Sequence, residues 1–311
     1  MAIMGTIRIC DGPLSAAIEP ELGGGLSRLT LETKGGPCEV LRPAEGASKF
    51  TDLSMYLMAP WTNRIAGAAF EFEGKTYKLR PDWEDGTAIH GDVKTRAWKI
   101  LDRTPLSARL AIDSRDIKDP NWPWPYSAEV RYEIDGGTLL MELGVRNLGD
   151  GPVPAGLGFH PFFSRSLRAG VEKAVRVKVV TRGRYPAARG IPTGPARGDE
   201  ASARLASGGA LGELELDDVF AGFQSPAVIS WPRERVEATI VCSPNLTHAV
   251  VYSPRGESGM KEWFCVEPIS MVTDGFNAMS RGAAGTGVAV VGPGKWLRCS
   301  VELQLSVAER G

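Results

Sequence analysis

The chain has 311 residues, a formal net charge of −1 and five cysteines. This length suits one large β domain and allows roughly three quarters of the unfolded surface to be buried without disulfides or metal. The near-zero charge, with Lys and Arg scattered, leaves no electrostatic footprint for nucleic acid, and no apolar run approaches the ~20 residues needed to cross a bilayer.

Met1 to Asp11 has no basic segment followed by an apolar one, so a cytoplasmic protein is expected. Cys10, Cys38, Cys242, Cys265 and Cys299 show no CxxC spacing and read as ordinary reduced core thiols. Phe70 to Tyr77 reads as a hairpin turning at Gly74. From Ser127 to Ile134, Ala128, Val130, Tyr132 and Ile134 alternate with polar residues. Leu139, Met141, Leu143 and Val145 repeat the pattern after the turn signal Asp135-Gly136-Gly137. Val175, Val177 and Val179, and then Cys299 through Val307, alternate in the same way. These are half-buried antiparallel strands. No amphipathic helix of three or more turns and no Gly-rich strand-to-helix loop is visible, which disfavours a nucleotide-binding α/β fold. Gly183 to Gly212, rich in Gly, Pro, Ala and Arg, reads as a long surface excursion, with an interdomain linker as the competing reading. Strand patterns of one kind on both sides favour a single domain over residues 1–311.

Several segments carry polar groups that a plain sandwich does not need. Asn63-Arg64 follows Trp61 and offers amide and guanidinium donors to ligand hydroxyls, with an indole face beside them, although taken alone the segment reads more simply as an exposed loop. His90-Gly91-Asp92 puts a histidine where backbone can come close to a ligand, with an ordinary surface histidine as the plainer alternative. His160 is set among Phe159, Pro161, Phe162 and Phe163; a core histidine bonded to a carbonyl is the plainer alternative. Asp217-Asp218 supplies two acids that could accept from a diol or simply sit in a turn. Glu267 closes the apolar run Trp263 to Val266 and is followed by Pro268, so its carboxylate is costly unless bonded, paired or neutral. His90, His160 and His248 show no metal-ligand spacing, so no metal is expected. No Gly-x-Ser-x-Gly elbow supports a serine hydrolase.

Taken in order, Asn63-Arg64-Ile65 with Gly67 and Phe70, His90-Gly91, His160-Pro161-Phe162-Phe163, Asp217 through Phe220 and Glu267-Pro268 resemble the aldose 1-epimerase (galactose mutarotase-like) family over nearly the whole chain. The resemblance implies an all-β fold, a large antiparallel β-sandwich known as a supersandwich. It implies a small-molecule sugar as the partner, no cofactor, and interconversion of sugar anomers. It maps the general acid onto His160 and the general base onto Glu267. Hydroxyl-binding roles fall on Asn63, Arg64 and His90, and on Asp217, which precedes Phe220 by the family's interval; Asp218 is the fallback. The sequence departs from the family in having Gly-Asp after His90, Gly-Phe before His160 and Asp after Asp217, changes that bear on the sugar more than on the reaction. A hexose-6-phosphate epimerase would use the same pair, with Lys94 and Arg96 as candidate phosphate ligands. A catalytically silent carbohydrate-binding protein could share the architecture, although it would not need both His160 and Glu267.

Overall fold

The computed structural model describes residues 5–171 and 173–308. Strand accounts for about 50% of the chain and helix for 8%, in two large antiparallel sheets. Eight strands form one sheet, in the order Lys99–Arg103, Ser107–Asp113, Tyr126–Asp135, Thr138–Asn147, Trp296–Val307, Val236–Cys242, Gln224–Trp231 and Arg176–Val180. The alternating segments lie here. Tyr126–Asp135 pairs with Thr138–Asn147 in unbroken register from Tyr126↔Asn147 to Asp135↔Thr138. Val130, Tyr132, Leu139, Leu143, Val301 and Leu303 turn inward while the intervening residues meet solvent.

The ten-stranded sheet runs Ile7–Asp11, Leu14–Glu19, Gly25–Thr33, Met55–Met58, Gly158–Ser164, Trp263–Ile269, His248–Ser253, Leu216–Ala221 and Gly183–Arg184, with Gly36–Glu39 paired beside Gly25–Thr33. Its central strands follow a different rule. Met55–Met58 and Gly158–Ser164 are buried at every position, and Trp263–Ile269 at all but the first, because both faces of the sheet are covered. Leu57, Phe159, Phe163, Phe264, Val266 and Phe220 point to the inter-sheet core. Truncating one such phenylalanine to alanine costs about 3–5 kcal/mol. Tyr56, Met58, Phe162, Val219, Val250 and Cys265 form a second apolar cluster on the opposite face.

Gly183 to Gly212 is not featureless. Gly183–Arg184 adds the last strand of the large sheet, Ala187–Ala188 and Ile191–Pro192 form a small hairpin, and Glu200–Ala206 is a helix whose N-terminus is capped by the Asp199 carboxylate accepting from the Ser202 amide at 2.9 Å. Among the described residues no helix is long and apolar enough to cross a membrane. Cys10 is exposed and Cys242 half-buried, which corrects the core placement expected for the thiols at those two positions; Cys38, Cys265 and Cys299 are buried. All five are free of disulfides.

Candidate active site

The outer face of the ten-stranded sheet is where side chains of the three central strands converge. In Gly158–Ser164 and Trp263–Ile269 the pairs Gly158↔Ile269 and Phe162↔Cys265 share one register, which sets His160 opposite Glu267. His160 also faces Tyr56 across the other edge of its strand. With a side-chain period of two, Phe159 and Phe163 serve the core while His160 and Phe162 face outward; Phe264 and Val266 serve the core while Cys265 and Glu267 face outward. The strand runs on through Pro268 to Ile269, so Glu267 lies inside it rather than closing it. Pro161 and Pro268, which have no N–H to donate, sit where the ladder between the two strands is interrupted.

Nε2 of His160 lies 3.1 Å from Oε1 of Glu267, with both side chains almost wholly out of solvent. Nδ1 of His160 and Oε2 of Glu267 are buried without hydrogen-bond partners among the described residues. The imidazole is wedged between Tyr56, 4.3 Å away between ring centroids, and Phe162 at 4.6 Å. Burial, with the positive charge of Arg42 nearby, pushes the His160 imidazole down to about 3. Burial and then the Asp217 charge push the Glu267 carboxyl well above the usual carboxylate range, against the opposing pull of Arg64. Both directions favour an uncharged pair, a carboxylic acid beside a neutral imidazole.

The pair lies in the wall of a cavity of about 230 Å³. Asn63, Arg64, His90 and Asp217 line it too, so the candidate acid, the candidate base and these four residues reach one place, whereas Asp218, Lys94 and Arg96 do not. The short bridge Arg64↔Ile89 brings the Asn63-Arg64 and His90-Gly91 segments together. His90 adopts a left-handed φ of 58°, its amide donates to the Asn63 carbonyl at 2.9 Å, and its ring stands edge-on to His160 with centroids 5.2 Å apart. Gly91 packs so closely on the Ala59 backbone that a Cβ would lie 2.2 Å from the Ala59 carbonyl oxygen. Burial, reinforced by His160, Lys94 and Arg64, holds the His90 imidazole neutral. Asn63 spends its side-chain oxygen on the Arg64 amide at 2.8 Å, and its NH₂ makes no hydrogen bond to a described residue.

Strand alternation sends the two acids to different places. Asp217 falls on the cavity side with Val219, whereas Asp218 pairs with Arg184 at 3.1 Å. Asp217 is open to the cavity and has no hydrogen bond or ion pair to a described residue; the loss of surrounding water raises its carboxyl, opposed by Arg64. Lys94 and Arg96 are engaged elsewhere. The buried Lys94 ammonium donates to Asp82 at 2.6 Å and to the Gly91 carbonyl at 2.8 Å, and Arg96 pairs with Asp92, so neither forms part of the cavity wall.

The cavity also gathers Arg42, Tyr56, Trp83, Tyr252 and Trp263. Trp263 lay beside a motif that stood out in the sequence; Arg42 and Trp83 carry no such signal. The Arg42 guanidinium stacks 3.6 Å from the Phe162 centroid and donates to the Leu53 carbonyl at 2.9 Å. Cys265, directly below, completes with His160 and Glu267 a group of metal-type ligands whose donor atoms all lie within 4.8 Å of one another. Spacing along the chain does not reveal that grouping. Burial keeps the Cys265 thiol strongly protonated, and Nε2 of His160 is already engaged by Glu267.

A family model described as aldose 1-epimerase matches residues 5–286. The uncharacterized protein YphB of Escherichia coli strain K12 is 24% identical over 265 residues, covering 81% of this chain and 88% of that protein. The uncharacterized protein YihR of the same strain is 25% identical over 284 residues, covering 88% and 86%. A solved galactose mutarotase-like protein from Clostridium acetobutylicum superposes with a TM-score of 0.85 at 21% identity, covering 97% of this chain and 95% of that one.

Proposed function

Because the chain belongs to the aldose 1-epimerase family, we propose that it is an aldose 1-epimerase, interconverting the α and β anomers of a free sugar with His160 as general acid and Glu267 as general base. The observation that carries this reading is the directly bonded, buried His160–Glu267 pair in the wall of a cavity sized for a small ligand. Opening a pyranose requires a proton to reach the ring oxygen while another leaves the C1 hydroxyl. With Nε2 protonated and the carboxylate ionised, His160 gives its proton to the ring oxygen as the bond from that oxygen to C1 breaks. Glu267 takes the hydroxyl proton, leaving an open-chain aldehyde. Rotation about C1–C2 followed by the reverse transfers closes the ring on the other face.

The proton count favours the pair. The form preferred by burial, carboxylic acid beside neutral imidazole, holds as many protons as the reactive form, so conversion is a shift along one hydrogen bond and draws no proton from solvent. Around it, Arg64, His90, the Asn63 amide and Asp217 supply donors and an acceptor for hydroxyls. Proton exchange at a hemiacetal needs no redox cofactor, and the reading includes none. Lys94 and Arg96 are committed to internal ion pairs, which favours an unphosphorylated sugar. We take residues 1–311 as one cytoplasmic domain on the strength of the strand pattern and composition.

Polarimetry of freshly dissolved α-glucose, α-galactose and their 6-phosphates with catalytic protein tests this. Faster decay of rotation for a free aldose than for its 6-phosphate is expected. No acceleration with any aldose would remove the epimerase reading and leave a binding protein.

A further inference from the structure

Arg64 is held on three sides by groups that play no part in proton transfer. Its Nε donates to Oδ2 of Asp85 at 3.0 Å, and its Nη1 lies 3.4 Å from Oδ1 of Asn63. Backbone closes the third side, since a Cβ built on Gly190 would lie 3.1 Å from Nη1 and 3.3 Å from Cζ.

Each contact comes from a segment that is itself fixed. Asp85 keeps Oδ1 for the Thr87 amide at 3.0 Å and the Thr87 hydroxyl at 2.6 Å, leaving Oδ2 aimed at Arg64. Burial works against ionisation of Asp85, but these bonds and Arg64 together hold its carboxyl below the usual range. The same loop is tied down through Asp82, which accepts from the Ile89 amide at 2.8 Å and from the Lys94 ammonium at 2.6 Å, and it carries Trp83 into the cavity wall. On the other side, Arg189 and Gly190 form the two-residue turn of the hairpin Ala187–Ala188 with Ile191–Pro192, with φ values of 51° and 75°. A turn left-handed at both positions favours glycine at the second, and here that glycine also lets the turn approach the guanidinium.

We propose that Asp85 and Gly190 are positioning residues for Arg64: the loop 82–87 and the hairpin 187–192 fix the guanidinium where a sugar hydroxyl docks, setting affinity and sugar preference without entering the chemical step. This rests on Arg64 binding the sugar. A long side chain that is ordered beforehand loses less freedom on binding than one left free to rotate, so the contribution belongs to KM and leaves kcat alone.

The test compares Asp85→Asn, Asp85→Glu, Gly190→Ala, Arg64→Ala and the double variant Asp85→Asn/Arg64→Ala, using the best aldose found by polarimetry. Asp85→Asn and Gly190→Ala are expected to raise KM by roughly three- to tenfold at unchanged kcat. Asp85→Glu should recover part of the loss, and Asp85→Asn should change nothing further once Arg64 is absent. An Asp85→Asn enzyme with wild-type KM, or one that loses as much without Arg64 as with it, overturns the positioning role while leaving the sugar contact standing. Wild-type KM in Arg64→Ala overturns the sugar contact itself, and the positioning role falls with it. Gly190→Ala also strains its own turn, so the Asp85 variants decide the question if that variant does not fold.

Discussion

His160 and Glu267 meet at 3.1 Å, Nε2 to Oε1, from neighbouring antiparallel strands whose register sets the two residues face to face. The strand pairing therefore makes the contact proposed to be catalytic, and no flexible loop has to bring the partners together.

Replacing either partner isosterically should cripple the chemical step. Glu267→Gln keeps shape and much of the hydrogen bonding but loses the base, so kcat should fall by roughly 10² to 10⁴ with little change in KM. His160→Gln should behave similarly, and the double variant should lose far less than the product of the single losses. Folded Glu267→Gln protein, checked by circular dichroism, that retains wild-type mutarotation would exclude Glu267 as the base.

Acid should spare the reaction over a range where an ordinary histidine enzyme fails. His160 takes up a proton from solvent only near pH 3, and Glu267 keeps its proton to a higher pH than an ordinary carboxyl. Thus kcat/KM should hold or rise as pH is lowered from 7 to 5. A decline with a midpoint near the ordinary histidine value, about 6.5, would show an imidazole open to solvent and contradict the buried pair.

Arg64→Ala and Asp217→Ala remove the proposed hydroxyl contacts and should act mainly on KM. Losing a hydrogen bond to a charged group costs about 1.5–3 kcal/mol, roughly ten- to 150-fold in kcat/KM. Asp218→Ala, which breaks an ion pair with Arg184 away from the cavity, should leave both constants nearly untouched. Equal losses for Asp217→Ala and Asp218→Ala would remove the distinction drawn from strand alternation.

Stability should fall as pH is lowered from about 7 to 5. His248 is buried, with Nε2 3.2 Å from the Tyr185 hydroxyl and Nδ1 2.9 Å from the Thr247 hydroxyl. Burial pushes its imidazole down to about 4. Below the unfolded value near 6.5 the unfolded chain binds a proton that the folded chain refuses, so stability is lost steadily until pH reaches the folded value; at pH 5 this is about 2 kcal/mol. Denaturant titrations at pH 8 and pH 5 should show the drop, and His248→Gln should shrink it by about that amount whatever its effect on absolute stability. An unchanged pH difference in His248→Gln would assign the dependence to other groups.

Prolonged treatment with EDTA should leave the mutarotation rate intact, because a proton shift between an acid and an imidazole needs no Lewis acid. Loss of activity restored by Zn²⁺ would instead assign a metal to the His160, Cys265 and Glu267 group.

The outer architecture is more legible in the sequence than the floor of the site. Ala128 to Ile134 and Leu139 to Val145 could be read because one face of their sheet meets water and the alternation survives. Met55–Met58 and Gly158–Ser164 are covered on both faces, so their hydrophobicity shows no period, and the strand pairing that sets His160 opposite Glu267 is not written in either segment alone. Asn63, Arg64, His90, His160, Asp217 and Glu267 are polar groups in apolar or turn-rich surroundings, but each setting alone also fits a loop, turn or core residue; the ordered resemblance of their motifs to the aldose 1-epimerase family is what singles them out. Their neighbours are not singled out. Arg42 reaches the cavity from outside any such motif, and Asp85 acts through Arg64, a contact made across a loop that no periodicity marks.

The two-sided burial of the central strands divides what can vary from what cannot. A substitution at Glu267 or His160 is read at once by the cavity and, through the same backbone, by the packing of Val266 and Phe159 behind it. Loop 82–87 and the turn at Arg189-Gly190 have no inter-sheet core at their back. On the proposed function, divergence in sugar preference can therefore accumulate along that rim while the floor proposed to move the protons stays fixed, and an attempt to retarget the protein should begin by randomising Trp83 and its loop neighbours rather than any residue of the central strands.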